Sequence, residues 1–359
     1  MTDARIDKVE LTPLNLTMRQ PFVTALGEKK VSRNLLVTVR LSNGMSGVGE
    51  ASASLAWPVD TPVAMSRAIR KMEQHLVGSK ISSYRRLITQ TWESARVHPT
   101  AASALECAIL DAFTRSRRIP LWQWLGARRR WVTTSFTLSA WPPDRAAQIA
   151  QTMFRRGFRQ LKVKATGFDV DEDMRRIIAI HKAVPQAALL IDANQGFQPL
   201  AAIRFCRALR RNQLPVRLME QPVPKENWEG LHQVEREGKI PVAADESART
   251  VRDARRLIQT KRVAVINVKL AKCGLLGALE IIRLARAGGV RLMIGCMAES
   301  ATGLSSSVHL ACGSGAFEFV DLDSHLLARS PDSKPGFLTR GARLNVYPKR
   351  PGCGAQIPP

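Results

Sequence analysis

Tyrosine is almost missing from this 359-residue chain, at two residues, and aromatic side chains make up only 6% of it. Neither an aromatic RNP-type motif nor helix-turn-helix or zinc-finger spacing is found, so the usual modules that read or stack on bases are not indicated. The six cysteines (107, 206, 273, 296, 312 and 353) include no CxxC pair, which argues against a zinc ribbon and a disulfide framework. No apolar run is long enough to cross a bilayer, and the opening MTDARIDKVE lacks the basic-then-apolar order of a secretory signal. A cytoplasmic protein with reduced thiols is the expectation. No GxSxG nucleophile elbow and no HExxH pair occurs, and GVGEAS matches only the first half of a dinucleotide fingerprint within a hairpin pattern.

Acidic residues are also scarce, 30 against 54 basic ones, for a net charge of +24 and a pI near 10.8. Such an excess suits nucleic acid, an anionic surface or acidic substrates. The dibasic pairs Arg155-Arg156, Arg175-Arg176, Arg210-Arg211 and Arg255-Arg256 each fall in or beside a different helical pattern. The charge therefore spreads over several solvated helix faces instead of forming one stripe. No specific nucleic-acid partner and no membrane partner is expected, and the sequence leaves a homo-oligomer open.

What is present is organised in two parts and a tail. RIDKVELTPLNL and RNLLVTVRLSNGMSGVGEAS read as strands of an antiparallel meander, with Asn-Gly as a hairpin turn. Between them, MRQPFVTALGEKKVS reads as a Pro- and Gly-containing loop. A helical block follows from about Pro62 to Leu125, clearest in TAASALECAILDAFTRSR. Beyond Trp131, short apolar strands alternate with amphipathic helical segments: TTSFTLS, QLKVKA, ALLIDAN, RLMEQP, IPVAADES, VAVINVKLAK, VRLMIGCM and AFEFVDLDSH. Eight strand-helix units without reversal predict an α/β fold with a closed parallel barrel. The Pro- and Gly-rich tail from 326 to 359 is expected to pack back on the N-terminal part.

In such a barrel the chemistry lies at the C-terminal ends of the strands. Here those ends carry Lys162 and Lys164, then Asp192 and Asn194, Glu220, Asp245 and Glu246, Lys269, Cys296 and Glu299, and Asp321 and Asp323. A single carboxylate after a strand is most often a helix cap or a surface ion pair. Consecutive strands ending this way are different. Asp192, Glu220 and Asp245 offer three hard oxygen donors to a divalent ion of the magnesium type. Lys162 and Lys164 share a strand face, because side chains repeat with period two. Lys269 lies four strands further round the ring and approaches from the opposite side.

KVK, DAN, MEQP, ADES and NVKLAKCG, in this order and spacing, resemble the enolase superfamily and its muconate-lactonizing subgroup. The resemblance implies a (β/α)7β TIM-like barrel at 126–325, an α+β capping domain at 1–125, and a C-terminal segment at 326–359 that completes it. It implies Mg²⁺ held by Asp192, Glu220 and Asp245, with Asn194 and Glu246 in support behind them. It further implies abstraction of the proton α to a carboxylate, with Lys162 stabilising the enolate and Lys164 and Lys269 as the two bases. Neighbouring positive charge is expected to leave those bases partly neutral.

VDLDSH is similar to the Asp-x-Asp signature of dipeptide epimerases, which gives Asp321 and Asp323 to the substrate's α-ammonium group. Thr137, Cys296 and Ala298 fall where that group contacts substrate. The implied enzyme is an isomerase, an epimerase of dipeptides. Members acting on Ala-Glu carry an arginine directly after TAL. Here that place is Gly27, which argues against Ala-Glu unless the nearby Lys29 or Lys30 substitutes, and Ala298 offers no acidic partner to a cationic side chain, so an apolar second residue is expected. The same lysines and metal serve o-succinylbenzoate synthases, N-acylamino acid racemases and cycloisomerases. A non-catalytic polyanion-binding protein on the same scaffold is the remaining alternative.

Overall fold

The computed structural model describes residues 3–95, 97–329 and 334–356. β1 (Ile6–Thr24) and β2 (Gly27–Leu41) form one long antiparallel hairpin, paired from Ile6↔Leu41 to Thr24↔Gly27. Residues 18–32, expected as a loop, are therefore mostly its outer half. Pro21 is tolerated there because the pairing slips between Thr17 and Phe22. The turn at Ala25-Leu26 closes on Gly27 at φ 122°, a conformation that side chains disfavour. β3 (Ser46–Ala51) joins β2 through the turn containing Asn43-Gly44, as the sequence predicts.

Helices α1 (Pro62–Glu73), α2 (Tyr84–Ser94) and α3 (Pro99–Ser116) accompany this sheet, and α3 is apolar nearly all round and buried. α3 lies so close to β3 that a Cβ on Gly49 would stand 2.0 Å from the Ala104 carbonyl oxygen. α4 (Leu121–Trp124) and β4 (Trp131–Thr133) lead out of this region.

Strand and helix then alternate. The first units are β5 (Phe136–Leu138), α5 (Pro143–Arg155), β6 (Gln160–Lys164), α6 (Val170–Ala183), β7 (Ala188–Asp192) and α7 (Pro199–Arg211). Next come β8 (Val216–Glu220), α8 (Trp228–Gly238), β9 (Val242–Ala244) and α9 (Val251–Thr260). The last are β10 (Val265–Val268), α10 (Leu270–Gly288), β11 (Arg291–Ile294), α11 (Ala301–Ser314) and β12 (Phe319–Val320). The eight strands form one parallel sheet in sequence order. Its two edges meet where Ser135 N–H donates to the Val320 carbonyl at 2.8 Å, so the sheet curls back on itself as a barrel.

Leu190, Leu218, Ala243, Val265, Met293 and Phe319, one from each strand β7 to β12, form a separate buried cluster inside the curl. Two residues further along each strand stand Asp192, Glu220, Asp245, Asn267, Gly295 and Asp321. Period two puts this second set on the same side, one layer higher. An apolar floor thus lies beneath a polar ring.

After α12 (Ser324–Leu327), β13 (Ala328–Arg329) pairs with β1. β14 (Phe337–Arg340) and β15 (Arg343–Val346) form a hairpin that pairs with β4. Cys353 N–H donates to Asp111 Oδ1 on α3 at 2.6 Å. The tail therefore contacts both the N-terminal part and β4, the strand that precedes the barrel.

Candidate active site

Lys162 is the hub of the polar ring. Its Nζ lies 2.9 Å from Asp192 Oδ2, 2.9 Å from Glu220 Oε2 and 2.7 Å from Asp321 Oδ2. Lys164 Nζ donates to Asp192 Oδ2 at 2.6 Å and to Asn194 Oδ1 at 2.8 Å. Across the ring, Lys269 Nζ donates to Asp245 Oδ2 at 2.6 Å. All of these groups are buried, where an unpaired charge would cost several kcal/mol. The anion that makes two lysines on one barrel strand tolerable is a set of carboxylates from the neighbouring strands.

Charges follow from these pairings. Burial disfavours the Lys162 ammonium, but Asp192, Asp321 and Glu220 outweigh it and hold the lysine well above its ordinary value. Lys269 behaves the same way. Burial lowers it, Asp245 and Glu220 raise it more, and it stays protonated. The expectation of a partly neutral Lys269 does not hold in this arrangement, because the adjoining carboxylate dominates the more distant Lys162. Burial raises Asp192 and Asp245, yet their lysine partners pull both below the usual carboxylate range. Glu220 goes the other way, to about 7, through burial and the neighbouring Asp192. Glu246 reaches about 8 through burial and Asp245.

At the eighth strand end, Asp321 Oδ1 accepts from Ser135 Oγ at 2.9 Å and from Thr137 Oγ1 at 3.3 Å. Asp323 Oδ2 accepts the Thr137 backbone N–H at 2.5 Å. Burial first and Asp321 second push Asp323 up to about 7, whereas Lys162 holds Asp321 low against its burial.

Lys162, Lys164, Lys269, Asp321, Asp323, Thr137, Cys296 and Ala298 all line one open cavity. Asn194, Asp245 and Glu246 line it too, whereas Asp192 and Glu220 do not and instead contact Lys162, which does. The N-terminal part supplies the other wall: Phe22, Leu26, Lys29, Leu55 and Trp57. The Phe22 ring centroid is 5.6 Å from Lys164 Nζ. Lys29 Nζ donates to the Ala53 carbonyl at 2.7 Å, and burial pushes the lysine down to about 8. Lys30 is exposed and lies near Glu28, 3.6 Å away.

Sequence reasoning missed two supports. Asn267 Nδ2 donates to Glu220 Oε1 at 2.9 Å. Lys272 Nζ donates to Asp245 Oδ1 at 2.8 Å and to the Asn267 carbonyl at 2.7 Å. Asn267 was findable, since it sits two residues before Lys269 and two after the inward Val265. His309 and His325 bond locally, His309 with Trp122 N–H and the Gly336 carbonyl and His325 with Thr339 Oγ1.

The acids do not converge as one triad here. Asp192 and Glu220 share Lys162, while Asp245 turns to Lys269 and Lys272. Among the described residues, no group of three or more His, Cys, Asp or Glu side chains is arranged to hold a metal ion. The donor chemistry nevertheless fits one. Three carboxylates stand on consecutive strands, with Asp192 and Glu220 in register. Among the described residues Glu220 Oε2 is buried without a hydrogen-bond partner, and the Lys162 ammonium stands 2.9 Å from it. Carboxylate oxygens of this kind are the hard donors that a divalent ion of the magnesium type takes.

A family model described as Mandelate racemase / muconate lactonizing enzyme, N-terminal domain, matches residues 7–126. One described as Enolase C-terminal domain-like matches residues 144–359. The chain is 37% identical over 341 residues to the aromatic dipeptide epimerase of Herpetosiphon aurantiacus, spanning 95% of this chain and 96% of that protein. It is 35% identical over 346 residues to the L-Ala-D/L-Glu epimerase of Thermotoga maritima, spanning 96% and 99%. The crystal structure of a dipeptide epimerase from Enterococcus faecalis V583, complexed with Mg and the dipeptide L-Leu-L-Tyr, matches with a TM-score of 0.94. That match has 28% identity and covers 98% of this chain and 100% of the other. With both halves matched and the lysine-carboxylate ring at the strand ends, the chain belongs to the mandelate racemase/muconate lactonizing enzyme family of the enolase superfamily.

Proposed function

We propose that this protein is a Mg²⁺-dependent dipeptide epimerase, an isomerase that inverts the carbon α to a dipeptide's carboxylate. The observation that carries this reading is one cavity lined by Lys164 at the end of β6 and Lys269 after β10, four strands further round the ring, together with Lys162, Asp321 and Asp323. In the same reading residues 1–125 cap the site, 126–325 form the catalytic barrel and 326–359 close the cap. A cytoplasmic location accords with six cysteines that form no disulfide.

One lysine, as the neutral amine, takes the α-proton onto Nζ. The C–H electron pair moves into the carboxylate as an enolate, and the opposite lysine, as ammonium, returns a proton to the other face. Lys269, protonated against Asp245, is ready as the acid and must leave Asp245 to act as the base. Lys162 meets the growing oxygen charge. When held by Asp192, Glu220 and Asp245, with Asn194 and Glu246 behind them, Mg²⁺ supplies positive charge for those carboxylates and for the substrate's.

Asp323 takes the substrate's α-ammonium group, because Lys162 already answers Asp321. Thr137 orients both acids. Leu26, Leu55, Trp57 and Met297 beside Cys296 and Ala298 favour an apolar second side chain. A panel of dipeptides incubated with Mg²⁺ in D₂O tests the reading. Free dipeptides with apolar second residues are expected to take up deuterium at Cα and to epimerise. Exchange confined to N-acyl amino acids would instead favour an N-acylamino acid racemase.

A further inference from the structure

We propose that Glu106, on α3 in the N-terminal part, is a positioning residue for Lys269, acting through the segment 269–274 from outside the cavity. Glu106 is fully buried. Its Oε1 accepts the Leu276 backbone N–H at 2.7 Å, and its Oε2 accepts Trp92 Nε1–H at 2.5 Å. Between Leu276 and the active site the chain breaks helical geometry at Gly274, with φ 67° and ψ −176°. A Cβ on Gly274 would lie 1.9 Å from Glu106 Oε2, so the carboxylate fills the notch that the glycine leaves. This carboxylate faces the start of the helical run after Gly274, where free N–H groups favour an anion.

The near end of the same segment belongs to the site. Lys272 N–H donates to the Lys269 carbonyl at 2.9 Å, and Lys272 Nζ reaches the carboxylate and carbonyl of Asp245. The stretch that carries Lys269 is thus held at one end by Asp245 and at the other by Glu106. Lys164 stands on β6, and its contacts are with Asp192, Asn194 and Phe22. Loosening the Glu106 end displaces one base and spares the other. A misplacement of about 1 Å at a reacting group costs on the order of a hundredfold.

The test rests on the two-lysine reading above and uses the full-length protein with Mg²⁺ in D₂O. Deuterium uptake at Cα is followed separately from each epimer of a dipeptide that the wild type interconverts. Lys269→Ala identifies the epimer served by Lys269. Glu106→Ala is expected to slow exchange from that epimer by about a hundredfold and to leave the other at the wild-type rate. Gly274→Ala, which drives a methyl group into the carboxylate, gives the same asymmetry.

Glu106→Gln keeps an acceptor for Leu276 but sets an amide NH₂ against Trp92 Nε1–H. The double variant Glu106→Gln/Trp92→Phe removes that conflict and recovers the lost exchange, which keeps the test open if Glu106→Ala fails to fold. Equal loss from both epimers, or no loss in a folded variant, overturns the role of Glu106 alone. A wild-type protein that exchanges only one epimer overturns the two-lysine reading and this proposal with it.

Discussion

Replacing Asp323 with asparagine separates recognition of a free dipeptide from the proton transfer itself. Asp321 is bound to Lys162, Ser135 and Thr137, whereas among the described residues the donors to the Asp323 carboxylate come from Thr137. Asparagine keeps an oxygen for the Thr137 N–H and removes the charge, so the local fold is retained. A hydrogen bond to a charged group contributes roughly 1.5–3 kcal/mol. At 1.4 kcal/mol per tenfold, that is roughly a ten- to 150-fold loss in kcat/KM for free dipeptides. Steady-state polarimetry on a free dipeptide and its N-acetyl form checks this, since the acetyl form has no ammonium group to lose.

The pH dependence follows with a definite sign. Asp323 is raised to about 7, so its carboxylate is lost as pH falls through 7. The preference for free over acetylated substrate should drop about tenfold between pH 8 and pH 6. Any titration of Glu220 acts on both substrates alike and cancels in the ratio. An equal loss on both substrates, or a preference that ignores pH, would refute the assignment of Asp323.

Removing divalent ions with EDTA should stop turnover and added Mg²⁺ restore it, with Asp192→Asn and Glu220→Gln raising the Mg²⁺ needed for half-maximal rate. EDTA-resistant turnover would contradict the metal assignment. Away from the site, burial holds the His309 imidazole down at about 4. Its folded value lies below the unfolded value of about 6.5, so its contribution to stability is present above pH 6.5 and lost as pH falls toward 4. Thermal melts across that window should show a steeper decline for wild type than for His309→Gln; parallel curves would remove His309 from the account.

The barrel was legible because β7, β8, β9 and β12 carry one signal: an apolar core residue, then a charged one two places on. Leu190 before Asp192, Leu218 before Glu220 and Phe319 before Asp321 are the same pattern repeated, and period two turns it into layers. The hairpin at 18–32 was not legible. Pro21 and Gly27 are loop signals locally, and only pairing across Thr17–Phe22 with a slipped register makes them part of a sheet. Side-chain partners were the least legible part. Lys269 was read against the other lysines, but Asp245 at 2.6 Å decides its charge. Glu106 carries no motif of its own, and Lys272, although inside NVKLAKCG, shows no role there, since both roles depend on which groups the fold brings to them.

The central claim is that two lysines address one α-carbon from opposite faces. It is tested most directly by following Cα deuterium uptake from each epimer of one dipeptide in Lys164→Ala and Lys269→Ala. Neither variant should epimerise, and each should retain exchange from only one epimer, the two being complementary. Epimerisation by both variants at the wild-type rate, or exchange of the same epimer in both, would contradict it.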